Sequence, residues 1–368
     1  MSRPDWRGDR IMLRPRCEIT RWPMSSSVRR PGATSGIKGD GRHWLWKGCF
    51  MLAIGAAIGS LCAQRAPLAQ GVDVERLREV IRCDDCHREI AREWRASGHA
   101  RAWTNPTYRA FIAENPTSEE TCLPCHAPKL ILSAGLSAMP ELRAAARERG
   151  VDCIACHADR DFVMHGPFQT RAPHKTQKDE RYRSVRACLP CHGQGRWFNQ
   201  VDDWKTSRYA RLGITCQTCH MPGIERPSVQ HWALPDMPKR VTRRHTFLGS
   251  RDRDFVRSAA SLQMRVENRL AIVSVTNSAT GHALPGAGWR AVVLDVVVED
   301  GRGNVTLHRR HSFDLDVHDN RLKPGERRDF RYALPVETGL VKAKLIYKLF
   351  YEWPDDKGMV MATREIRF

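Results

Sequence analysis

Ten of the thirteen cysteines fall into five pairs, each with two residues between the cysteines and a histidine directly after the second. They read Cys83-Asp-Asp-Cys86-His87, Cys122-Leu-Pro-Cys125-His126, Cys153-Ile-Ala-Cys156-His157, Cys188-Leu-Pro-Cys191-His192 and Cys216-Gln-Thr-Cys219-His220. Two thiols three positions apart on one helical turn reach the two vinyl groups of a porphyrin, and the next residue turns its imidazole onto the iron. C-x-x-C-H is the attachment signature of c-type haem. Zinc sites and disulfide frameworks also gather cysteines, but neither requires a histidine after every pair. The expectation is five covalent haems held by these ten cysteines, with His87, His126, His157, His192 and His220 as proximal iron ligands.

Five haems between residues 83 and 220 amount to about one per 28 residues, so porphyrin replaces much of the usual side-chain core. The aromatic content of 8% is then no handicap. The formal net charge is +19, but the first 71 residues hold 12 basic and 4 acidic side chains, leaving +11 for the rest. No basic run of nucleic-acid type lies within that remainder, so nucleic acid is not an expected partner.

Residues 1–47 are rich in Arg, Trp, Gly, Ser and Pro without a period of two or 3.6, and read as an unstructured basic extension. Residues 48–64 carry no charge and follow Arg42 and Lys47. Their apolar heart is short for a membrane-spanning helix and suits a signal-peptide core, with small residues at Ala63, Ala66 and Ala69. The segment 48–70 is therefore a signal peptide, or else an uncleaved anchor through residues 48–64. Either way the chain is expected to be exported, to a periplasm or its equivalent.

The motifs are not independent. Cys122-Leu-Pro-Cys125-His126 recurs as Cys188-Leu-Pro-Cys191-His192, and each precedes a Gly-led motif, Gly150-Val-Asp-Cys153 and Gly213-Ile-Thr-Cys216. A second echo is Trp94-Arg-Ala-Ser97-Gly-His99-Ala100 against Trp204-Lys-Thr-Ser207-Arg-Tyr209-Ala210. Together they read as duplication of a two-haem unit. Between motifs, residues 74–94, 140–149 and 203–211 read as helices, and 166–176 and 221–239 as Pro-rich loops.

Each iron wants a sixth partner, and nine histidines besides the proximal five follow the export segment. His99, His165, His174, His245 and His282 are the candidate distal ligands, with His231 next in line. His99 serves a haem other than that of His87. His308, His311 and His318 lie along expected strands and read as surface residues.

From about residue 261 the pattern changes to period two. In 341–349 lysines alternate with Val341, Ala343, Leu345, Tyr347 and Leu349, a half-buried antiparallel strand. Similar runs occupy 262–267, 270–276, 291–299, 305–309 and 327–334, and Gly301-Arg-Gly303-Asn304 marks a hairpin turn. Six or seven short strands suggest a β-sandwich. The overall class is α+β: a mostly helical and loop pentahaem domain over 71–258 with little regular sheet, followed by an antiparallel β-sandwich over 259–368. No nucleophile–base pair or Gly-rich phosphate loop appears in the second domain, whose expected role is to close one end of the haem stack or to dock a partner.

C-x-x-C-H followed by Trp94-x-x-Ser97-x-His99-Ala100, Gly150-Val-x-Cys with a histidine eight residues beyond the motif, and Gly213-Ile-Thr-Cys-Gln-Thr-Cys-His-Met-Pro leading to His245-Thr-Phe-Leu-Gly249 resemble the cytochrome c-552/4 family of multihaem cytochromes, over roughly residues 80–250. Thr280-Gly-His-Ala-Leu-Pro-Gly-Ala-Gly-Trp-Arg290 resembles the β domain appended to some members. The resemblance implies periplasmic electron transfer through closely packed, mostly bis-His haems. The third motif departs from the family, with Cys156-His-Ala-Asp-Arg-Asp-Phe-Val-Met-His165 where a Gly-Pro-Gly stretch is usual, and no motif ends in Lys, as the catalytic haem of pentahaem nitrite reductases does. Three functions compete: an electron carrier with every iron six-coordinate, an oxidoreductase acting on a small nitrogen or oxygen species at one open haem, and a docking subunit. The supply of histidines favours the carrier over the enzyme. Its expected redox partners are a quinol-oxidising donor, a terminal reductase or another cytochrome.

Overall fold

The computed structural model describes residues 78, 81–114, 119–135, 138–195, 197–234, 236–316 and 318–368. The expected extension and export segment lie outside the described residues. Among those described, no helix is long and apolar enough to cross a membrane.

Up to residue 258 the chain is a succession of short helices and loops. The motifs occupy single-turn or two-turn helices: Cys83–Cys86, Glu119–His126, Cys153–His157, Leu189–His192 and Cys216–His220. Asp152 starts one of them, its side chain accepting the Ala155 N–H at 2.8 Å. Gly150 shows why this motif is led by glycine. Its φ is +60°, and a Cβ there would stand 2.3 Å from the His99 carbonyl oxygen, which accepts the Val151 N–H.

The three expected helices break where side chains take over backbone work. Within 74–94 the described part is Cys83–Cys86, then Arg88–Arg95, with His87 turned out between them. Within 140–149 only the 3₁₀ turn Arg147–Arg149 forms, because buried Arg143 wraps the chain around its guanidinium, donating to the Ala146 and Pro128 carbonyls. Within 203–211 the helices Gln200–Thr206 and Arg208–Arg211 meet at Ser207, whose extended backbone (ψ 162°) ends one while its hydroxyl caps the other. The expected loops are clipped by small sheets: β1 (Met164–Gly166) pairs in parallel with β2 (Thr176–Lys178), and β3 (Gly223–Pro227) antiparallel with β4 (Lys239–Arg243).

Beyond the helix Arg253–Ser258 come β5 (Ser261–Glu267), β6 (Leu270–Thr276), β7 (Ala291–Asp300), β8 (Val305–Phe313), β9 (Arg327–Ala333), β10 (Gly339–Lys348) and β11 (Met359–Arg367). They form two antiparallel sheets, ordered β11-β10-β7-β8 and β5-β6-β9. The inner faces meet through Val273 and Val275 on one side and Leu294, Val296, Val341 and Leu345 on the other. Lys342 and Lys344 point outward along β10 while Val341, Ala343 and Leu345 are buried, and toward the strand's end Ile346 and Lys348 are buried as well. β11 escaped the period-two reading because it is an edge strand with one fully buried side chain, Met361, among charged residues.

Candidate functional site

One connected cavity of about 2400 Å³ runs through the helical region, far beyond the roughly 300–1,000 Å³ of an ordinary small-molecule site. All ten cysteines and five histidines of the motifs line it, as do His99, His165, His174, His245 and His282. Walls of thiol and imidazole around an apolar void are the donor set c-type haem requires, and that group, when bound, supplies an iron that takes up and gives back one electron.

The structure sets imidazoles of distant segments against one another in pairs. Ring centres lie 6.4 Å apart for His87 and His174, 6.3 Å for His99 and His192, 6.3 Å for His157 and His245, and 6.2 Å for His220 and His282. Two imidazoles sharing one metal at nitrogen–metal distances of about 2 Å put their ring centres roughly 6 Å apart, so all four spacings fit.

The protons are also arranged for ligation. The Nδ1 atoms of His87, His126, His157 and His220 donate to the carbonyls of Ser228, Ala102, His165 and Leu248, at 2.8, 2.7 and 2.7 Å for the first three. Those of His245 and His282 donate to the Arg243 and Ala283 carbonyls at 3.0 and 2.8 Å. A proton held on Nδ1 leaves the Nε2 lone pair for a metal. Burial favours the neutral form of six of these imidazoles, lowering His99 and His245 to about 4 and His192 to about 3, with His126, His157 and His282 shifted the same way.

His126 stands apart. Among the described residues no histidine ring faces it; Tyr108 stacks on it instead, with ring centres 3.6 Å apart and planes within 12°. The expectation of a distal role for His165 needs correction. Its Nε2 faces Asp159 at 2.8 Å and its Nδ1 faces Asp179 at 3.2 Å, so both ring nitrogens are committed to carboxylates. What it gives the site is its carbonyl, which orients His157. His231 bonds within its own turn, its Nδ1 accepting the Ala233 N–H. His308 and His318 are exposed, and His311 packs on Phe330 with ring centres 4.2 Å apart.

Thiols of different motifs also meet: Cys83 shares a hydrogen bond with Cys153, Cys188 with Cys216, and Cys191 with Cys125. The first motif thus adjoins the third, and the fourth adjoins both the second and the fifth. Of the aromatic groups flanking the imidazole rings, Tyr182 and Phe255 carried no motif in the sequence, while Phe247 belongs to the segment 245–249. Tyr182 stacks on His157 at 4.9 Å, Phe247 edges His99 at 4.2 Å, and Phe255 edges His220 at 5.1 Å. No spacing rule could have found them, because each arrives from another segment.

Residues 82–158 match the family model of cytochrome c554 and c-prime. Among solved structures the chain is similar to a penta-heme cytochrome c552 from Thermochromatium tepidum, at 19% identity and a TM-score of 0.57, over 78% of this chain and 97% of that one. At that identity the likeness concerns the fold. A putative beta-galactosidase from Bacteroides fragilis (12% identity, 30% of this chain, 15% of the other) has a TM-score of only 0.17. A glycosyl hydrolase family 2 member from Bacteroides cellulosilyticus (14% identity, 30% and 13%) also scores 0.17. No curated protein sequence matches the chain. With five attachment motifs around one cavity, the chain is a multihaem c-type cytochrome resembling the cytochrome c-552/4 family, with an appended C-terminal β domain.

Proposed function

We propose that the chain is an exported pentahaem cytochrome that passes electrons between redox partner proteins through four bis-His haems and one haem open on its distal side. The observation that carries this reading is the set of four imidazole pairs at 6.2–6.4 Å, beside a fifth proximal histidine, His126, that no histidine ring among the described residues faces. The assignments are His87 with His174, His157 with His245, His192 with His99, and His220 with His282. The thiol contacts support a branched path: first haem to third, with the fourth as junction to the second and fifth. The Val151 N–H, two residues ahead of the third motif, donates to the carbonyl of His99, whose ring is set against His192, which supports the link between third and fourth.

The open position at His126 favours a second role, the oxidation or reduction of a small nitrogen or oxygen species there, fed by the other four haems. This departs from a carrier in which all five irons are six-coordinate. A pyridine haemochrome assay is expected to give five haems per matured chain, and EPR of the ferric protein four low-spin signals and one high-spin. Four or fewer haems sinks the count. Five low-spin signals with no carbon monoxide binding sinks the open haem and restores the pure carrier.

A further inference from the structure

Two carboxylates outside the motifs, Glu93 and Asp203, are each 8% exposed, and each immediately precedes a tryptophan of the echoed segments. The tryptophans do matching things. Trp94 Nε1 donates to the Val151 carbonyl and Trp204 Nε1 to the Ile214 carbonyl, both at 2.8 Å. Val151 and Ile214 each stand two residues ahead of a motif's first cysteine, Cys153 and Cys216.

The carboxylates face the other side of the same two positions. Glu93 Oε2 accepts the backbone N–H of His245 at 2.9 Å, and Asp203 Oδ2 accepts that of Ala283, next to His282, at 3.1 Å. His245 and His282 are the rings set against His157 and His220, the proximal histidines of those two motifs. Each carboxylate also holds a buried arginine from elsewhere in the chain. Glu93 takes Arg226 through two 2.8 Å bonds, and Asp203 lies 3.7 Å from Arg321, which is fully buried and also bound to Asp319 and Asn199.

We propose that Glu93–Trp94 and Asp203–Trp204 are equivalent positioning pairs, the indole fixing the proximal segment and the carboxylate fixing the backbone of the distal histidine, which together keep the third and fifth haems six-coordinate. This rests on the assignment of His245 and His282 as distal ligands. The need is physical. Each distal ring comes from far along the chain, 88 residues beyond His157 and 62 beyond His220, so closing the loop costs entropy that a single iron–imidazole bond must otherwise offset. A buried carboxylate that accepts the peptide N–H of the ligand itself, as at His245, or of the residue after it, as at Ala283, fixes that loop before the metal does. The arginine keeps the carboxylate charged: Glu93 lies below the usual carboxylate range, the Arg226 and His245 bonds outweighing burial, which pushes the other way. In Asp203 the device crosses the domain boundary, since its loop and arginine both belong to the β domain.

The test compares Glu93→Ala, Glu93→Gln, Asp203→Ala and Asp203→Asn with His245→Ala and His282→Ala, in the matured full-length protein with haem content measured. Glu93→Ala is expected to turn high-spin the same haem as His245→Ala, and Asp203→Ala the same haem as His282→Ala, with carbon monoxide binding at that haem rising at least about tenfold. Glu93→Gln and Asp203→Asn keep an acceptor oxygen, so they should stay low-spin with a shifted potential at that one haem. The proposal is overturned if both alanine variants keep wild-type spin states and potentials, even with lowered melting temperatures. Should the alanine variants fail to mature, unshifted potentials in the Gln and Asn variants overturn it equally. If His245→Ala and His282→Ala themselves leave every haem as in wild type, the ligand assignment has failed, and this proposal with it.

Discussion

The core of the strand region gathers 21 buried side chains, Val256 of the preceding helix among them, whereas the largest cluster of buried side chains built within the haem region alone, among the described residues, is Leu130, Ile154 and Ala158. Both regions are ordered around apolar space, but only one fills that space with its own residues. The β-sandwich has alternating strands whose Val, Leu and Phe side chains interdigitate, so its stability is written in the chain. The haem region instead surrounds a cavity of about 2400 Å³ and fixes its loops with buried polar contacts such as Arg226 on Glu93 and Arg143 on two carbonyls. Such a region should depend on its cofactor to fold, and the sandwich should not.

The largest effect that tests this contrast is removal of one haem. Cys153→Ser with Cys156→Ser is expected to strip one porphyrin and destabilise the haem region by more than the roughly 2–5 kcal/mol of a single large-to-small core change. Amide exchange in β6, β7 and β10 should stay protected. Equal loss of protection in both regions would dissolve the distinction. Next comes a cut into the other core: Leu294→Ala or Leu345→Ala, each fully buried, should cost about 2–5 kcal/mol in urea unfolding of the sandwich. Haem absorption should change only at the haem assigned to His220 and His282, and a shift at the His87 haem would show the regions unfold as one.

The smallest effect concerns polar fixing within the haem region. A hydrogen bond from Arg181 holds the Asp179 carboxyl at about 2, below its ordinary 3.8, and Asp179 also faces His165. A depressed carboxylate stabilises the fold fully above its ordinary value, and that contribution is lost as pH falls toward 2. Asp179→Asn should therefore cost on the order of 1 kcal/mol at neutral pH after allowance for solvent screening, and nothing once the pH is well below 2. An unchanged acid-unfolding midpoint would contradict it.

How much was legible differs between the regions for the same reason. Six of the seven strands could be read from alternation, because a strand's period reports directly which face is buried. The attachment motifs were legible because thioether chemistry fixes their spacing within one turn. Helix lengths were not: Ser207 and Arg143 bind backbone groups locally, which propensity does not register. His165 illustrates the limit. Eight residues from His157 it looked like a natural sixth ligand, yet its ring lies between Asp159 and Asp179, and the ring facing His157 is that of His245.

By itself the sequence determined that there are five attachment motifs, that haem must replace much of the first core, and that a strand domain follows. Those facts are local, set by residues within a turn or a strand of one another. Tertiary structure decided which imidazole meets which, that His126 meets Tyr108 instead, and that Glu93 and Asp203 stand behind the loops of His245 and His282. Those pairings join residues tens of positions apart, and their geometry exists only once the intervening chain has folded around the cavity.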